Sequence, residues 1–155
     1  MKRIIAVFIL CLTMILASGC GDLNAIYDDN TVIAQTGDSS STKGAGSTIL
    51  GRDLSVTSAT MTGSRTLWRY TADSDVDITF SYLLSVTEGG KAKLVLITPD
   101  NEVIVLVENT DNNTYNEMQS QTISLKKGLN RIKIVGYDAP AFELKLSFDV
   151  GKLSW

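Results

Sequence analysis

The side chains able to do chemistry are few in this sequence, and what is missing narrows the function as much as what is present. The chain has no histidine and only two cysteines, Cys11 and Cys20. Lack of histidine rules out the commonest general base, the Ser-His-Asp and Cys-His arrangements and the usual zinc sites. Neither a G-x-S-x-G elbow nor a G-x-x-x-x-G-K-[ST] phosphate loop occurs. Paired carboxylates could still cleave a glycoside, but no spacing in the sequence sets such a pair. The expectation is a protein that is not an enzyme, with a carboxylate-based hydrolase as the last of three readings.

The polar clusters that remain suit binding. Asp73, Asp75 and Asp77 have a D-x-D-x-D spacing, but an EF-hand loop needs a glycine after the third ligand and a glutamate six residues further on. Ile78 and Leu84 stand there. Asp73 and Asp75 could hold calcium with backbone carbonyls at a sheet edge; otherwise Asp73-Ser74-Asp75 is a turn and Asp77 the solvent face of the next strand. The loop Glu108–Glu117 is rich in Asn and Asp and holds Tyr115. With Asp111 and Asn113 it offers an aromatic face and polar groups for a sugar, although Asn and Asp also serve any solvated loop. Tyr137, beside Asp138, and Trp155 are further candidate ligand contacts. Trp68 and Tyr70 share a parity and are either core anchors or a stacking platform.

The elements that position these groups follow a distinctive N-terminus. Lys2 and Arg3 precede an uncharged run from Ile4 to Ala17. As a helix that run would span roughly 21 Å, short of the ~30 Å of a bilayer core, so it reads as the apolar region of a signal peptide. The residues Leu16-Ala17-Ser18-Gly19-Cys20 resemble the lipobox of bacterial lipoproteins. That pattern prefers a bulky aliphatic three residues before the cysteine, where this chain has Ala17. The resemblance implies cleavage after residue 19, a lipid on Cys20, and a lipid-anchored protein on the extracytoplasmic face of the bacterial membrane. No cofactor is expected beyond that lipid. Loss of Lys2 and Arg3 would leave 12 basic against 17 acidic side chains, a net charge of -5. With no basic block, nucleic acid is not expected as a partner.

Residues 20–48 read as a flexible tether. The stretch 36–48 is almost all Gly, Ser, Thr and charge, too polar to offset the cost of ordering, and such a tether would reach roughly 30 Å. Alternatively Ile26, Tyr27, Val32 and Ile33 dock on the domain as an extra strand. From residue 49 the pattern becomes one of short alternating segments. Val76, Ile78, Phe80, Tyr82 and Leu84 share one parity, as do Phe142, Leu144, Leu146, Phe148 and Val150, each the mark of a strand with one buried face. Val103–Val107 is apolar on both parities, as in a strand covered on both faces. Ala92, Leu94 and Leu96 alternate with Lys91 and Lys93, and further strands are expected over 54–61, 65–71, 120–125 and 131–136. About eight strands in residues 49–155 predict an all-β fold, a single antiparallel β-sandwich of jelly-roll type.

The run WRYTADSDVDITFSY and the hairpin LKKGLNRIKIVG loosely resemble small sandwich modules of secreted bacterial proteins, of the pre-peptidase C-terminal and jelly-roll carbohydrate-binding types. Such modules bind polymers or assist a catalytic partner. The resemblance implies a non-catalytic interaction or accessory module of the cell envelope, with binding of a carbohydrate or cell-wall polymer as the alternative. An envelope protein or glycan is the expected partner, besides the membrane that the lipid engages.

Overall fold

The computed structural model describes residues 22–87, 89–109 and 117–155. Cys20 and the loop residues Asp111, Asn113 and Tyr115 lie outside the described residues. The fold is all-β. Nine strands, β1 (Ser39–Lys43), β2 (Gly46–Leu50), β3 (Asp53–Ala72), β4 (Val76–Ser85), β5 (Lys91–Ile97), β6 (Val103–Asn109), β7 (Gln119–Leu125), β8 (Gly128–Phe148) and β9 (Lys152–Leu153), form one antiparallel sheet. Alternation decides which side of each strand is buried. Phe80 and Leu84 of β4 enter the core with Ile78 and Tyr82 packed against them, and β8 contributes Phe142, Leu144, Leu146 and Phe148.

Two long strands organise the sheet. The expected strands 54–61 and 65–71 are the two halves of β3, and most of 131–136 and 142–150 falls in the two halves of β8. Each long strand bends where Gly63 faces Gly136 and the register shifts. Gly63 has φ 87°, and a Cβ there would run into the Ser39 carbonyl; a Cβ on Gly136 would meet the Met61 carbonyl at 2.7 Å. Just beyond the bend, β8 exchanges β5 (last pair Tyr137) for β4 (first pair Glu143). Pro140, which has no N–H to give a ladder, occupies that gap, and its carbonyl accepts from Thr87 N at 3.1 Å.

The bend folds the sheet into a sandwich-like pair of layers. The first layer has β6, β5, the first half of β8 and the second half of β3; the second has β7, β4, the second half of β8 and the first half of β3. Strands that cross between layers by a bend are a known way to make such a corner. The inner faces share one core, in which Phe148 stacks on Trp68 at 4.7 Å and on Phe80 at 5.1 Å. Trp68 is wholly buried and its indole N–H donates to Val150 O at 2.7 Å. It is a core anchor and not a sugar platform.

Residues 22–48 depart from the expected tether. A 3-10 helix (Leu23–Asp28) and the single turn α1 (Asn30–Ile33) lie on the outer face of the first layer, where Ile26, Tyr27 and Ile33 pack with Val95, Ile97 and Val135. Docking is thus by helical turns and not by the extra strand considered from sequence. Asp29 caps α1 by accepting from Thr31 N and Val32 N, which satisfies amides left open at a helix start. β1 and β2 then run in line along the edge of β3, interrupted at Gly44 and Ala45. Composition missed these strands because their side chains stay largely exposed and main-chain hydrogen bonds hold them.

Two buried cations clamp the segment. Lys133 is fully buried; its ammonium donates to Gln35 O (2.8 Å) and Gly37 O (2.6 Å) and pairs with Asp38 at 3.2 Å. Arg131 donates to Ala34 O and Gln35 O, closing the C-terminal end of α1. Burial pushes the Lys133 amine below its ordinary range, with Asp38 opposing that shift. The expectation for Val103–Val107 also needs correction. β6 is an edge strand that pairs only with β5 among the described residues, and it leaves Ile104 and Val105 exposed.

Candidate interaction groove

An apolar groove opens on the outer face of the second layer. Leu50 ends β2 and pairs with Asp53, leaving Gly51 and Arg52 as a two-residue hairpin loop. Gly51 (φ 62°) supplies the left-handed residue that the first central position of such a loop favours. Register then sets two outward rows, Thr48–Ser55–Lys145 and Leu50–Asp53–Ser147. Met118, just ahead of β7, closes the far wall, and the groove encloses about 300 Å³. Leu50 is 75% exposed and Met118 43%. Burying such a side chain stabilises by about 1.5–3 kcal/mol, so this group offers binding energy that folding leaves unused. The charge around it is balanced: Lys145 pairs with Glu143 at 2.9 Å, and Arg52 with Asp149 at 3.1 Å.

The residues singled out from sequence do not form one site. Tyr137 meets Tyr27 edge-on, with centroids 6.2 Å apart, and Lys91 lies over both rings. The Tyr27 hydroxyl donates to Glu108 at 2.7 Å, and burial, then that carboxylate, holds its pKa far above the ordinary tyrosine range. Lys93 sits over the other part of this cluster, 4.4 Å from the Tyr27 centroid, and burial lowers its pKa. Asn24 bridges to Asp138 through side chain and backbone. This cluster fastens the N-terminal segment to β5 and β8, and only part of Tyr137 reaches solvent.

Trp155 is half-buried at the opposite edge of β3, with the Arg65 guanidinium 4.6 Å from its ring centroid. The two aromatics therefore occupy separate surroundings. Asp75 accepts from Lys127 N (2.8 Å) and from the Lys126 ammonium (3.3 Å), and that amide, then the ammonium, lowers its pKa. Asp75 thus closes the turn before β4 onto the β7–β8 turn. Among the described residues no three His, Cys, Asp or Glu side chains stand together to hold a metal.

Sequence reasoning missed Leu50 and Met118. Each is a single apolar residue beside a turn, and its outward orientation depends on a register that only the paired strands define. The sequence matches no protein-family model and no curated protein.

Proposed function

We propose that this chain is a lipid-anchored protein of the bacterial cell envelope whose sandwich-like domain binds another envelope protein and performs no catalysis. The observation that carries the binding half is the pair of exposed apolar side chains, Leu50 and Met118, in a groove with little polar lining. Apolar groups gathered at a concavity mark interaction surfaces more often than isolated exposed residues do. Support for the anchoring half comes from the signal-like run and the small residues before Cys20. Only Gly21 and Asp22 separate that cysteine from the 3-10 helix. A lipid on Cys20 would hold the domain against the membrane surface, so the partner is expected there too.

Carbohydrate binding is less favoured by the aromatics among the described residues, which do not include Tyr115. A sugar platform needs exposed flat rings, whereas Trp68 is in the core, Tyr137 stands edge-on to Tyr27 and Trp155 carries Arg65 on its ring. Two variants test the proposal. In cells fed a labelled fatty acid, Cys20→Ser should lose the label that the native chain carries. Leu50→Ser should leave thermal stability within about 1 kcal/mol of native, as for an exposed site, yet weaken the native-gel complex extracted from membranes. An unlabelled native chain would overturn the anchor, and a complex indifferent to Leu50→Ser would overturn the groove.

A further inference from the structure

The edge of β3 carries an imbalance of charge that the fold does not resolve. β1 pairs with β3 as far as Ser64, and β9 begins again at Trp68. Between them the edge opens into a shallow cleft of about 390 Å³, lined by Arg65, Arg69, Trp155 and the hydroxyls of Ser40, Thr66 and Ser154. This volume lies at the small end of ligand sites.

Arg69 stands directly opposite Arg131 in the β3–β8 register. Like charges facing each other across a strand pair are destabilising. Arg131 is tied to carbonyls and to the Asn101 amide oxygen, none of which carries charge. Among the described residues, Arg69 makes no side-chain hydrogen bond or ion pair. Among the described residues, the Arg65 guanidinium has the Trp155 ring as its one partner. One carboxylate side chain lines the cleft, that of Asp38, and its Oδ1 already accepts from Thr66 N, Thr66 Oγ1 and the Lys133 ammonium. The cleft thus presents two cations, Arg65 and Arg69, beside one acidic side chain that Lys133 already engages, in a chain whose overall charge is negative.

We infer that this cleft is a binding site for an anionic oxygen group, a carboxylate or phosphate. Arg69 and Arg65 supply the charge-assisted donors; the hydroxyls of Thr66 and Ser154 shape the cleft but already donate to Asp38 and to Thr66 O. Guanidinium suits planar or tetrahedral oxyanions because two N–H groups can engage two oxygens together. Bound there, the anion would also relieve the repulsion between Arg69 and Arg131. The site is independent of the groove, which lies on the second layer.

The test is titration of the full-length chain in a neutral detergent with inorganic phosphate, glucuronate, oligogalacturonate and, as the uncharged control, glucose. Calorimetry follows binding, and indole fluorescence reports on Trp155. Saturable binding of the acidic probes but not of glucose is expected. Arg69→Gln and Arg65→Gln should each weaken it roughly tenfold or more, the size of a lost charged hydrogen bond. Arg69 is exposed and faces Arg131, so Arg69→Gln should melt at or slightly above the native temperature, and Arg52→Gln should bind like the native chain. Equal affinity for phosphate and glucuronate would mark a site for free anions. Preference for the oligomer would mark an acid group borne on a polymer. Absence of saturable binding, or equal affinity in native chain and Arg69→Gln, would overturn the inference.

Discussion

Replacing Lys133 by Met removes the centre of the clamp that holds residues 22–44 on the sheet. The side chain is fully buried and bonds two carbonyls and one carboxylate. Removing one partner of a buried pair typically costs about 3–5 kcal/mol, because the other is left unbalanced. Two features reduce that figure. Gln35 O keeps its bond from Arg131, and Asp38 keeps both bonds from Thr66. Gly37 O loses its ammonium outright, at about 1–3 kcal/mol for an unsatisfied acceptor. A loss of about 3 kcal/mol is expected, read as a lower urea midpoint with unchanged slope. Hydrogen exchange distinguishes the mechanism: amides of β1 and α1 should lose protection first, while β4 and β8 open only with the whole domain. Asp38→Asn should cost less, since its side-chain oxygen can still accept from Thr66. A Lys133→Met chain as stable as native, with β1 and α1 equally protected, would refute the clamp.

Two further outcomes follow from the same geometry. Gly136→Ala should destabilise by about 2 kcal/mol or more, since the added Cβ meets backbone at the bend and overpacking costs roughly 1–3 kcal/mol; calorimetric melting checks it, and a native melting temperature would contradict the bend. Tyr27 keeps its proton in the fold well above its ordinary pKa of 10.0. Above that pH the unfolded chain releases the proton and the folded chain does not, so stability from this group is complete below about pH 10 and falls as pH rises beyond it. Tyr27→Phe should remove that share of the alkaline fall in urea midpoint, and an unchanged slope with pH would contradict the assignment.

Much of the sheet is legible in sequence because burial on one face leaves a period of two. β4 and the second half of β8 are such cases, as their inward residues are the apolar ones. The bend is not legible in the same way: period two continues on either side of it, and Gly63 and Gly136 look like turn residues that end strands. The N-terminal segment misleads through composition. β1 and β2 expose most of their small polar side chains, so nothing in SSSTK or GSTIL marks them as strands. Lys133 and Arg131 alternate with Ile132 and Ile134, which suggests a solvent face until a second element covers them. Trp155 could be noted as an aromatic. Its partnership with Arg65 depends on two segments far apart in the chain.

Photocrosslinking in living cells tests whether the groove beside Leu50 receives a partner protein at the membrane. A photoreactive residue would replace Leu50 in the full-length chain, and in a second strain Asp77, an exposed position on β4 away from the groove lining. One discrete adduct is expected in the membrane fraction from position 50, absent from position 77 and reduced when Met118→Ser is added. No adduct at position 50, or the same adducts from both positions, would contradict a partner in the groove.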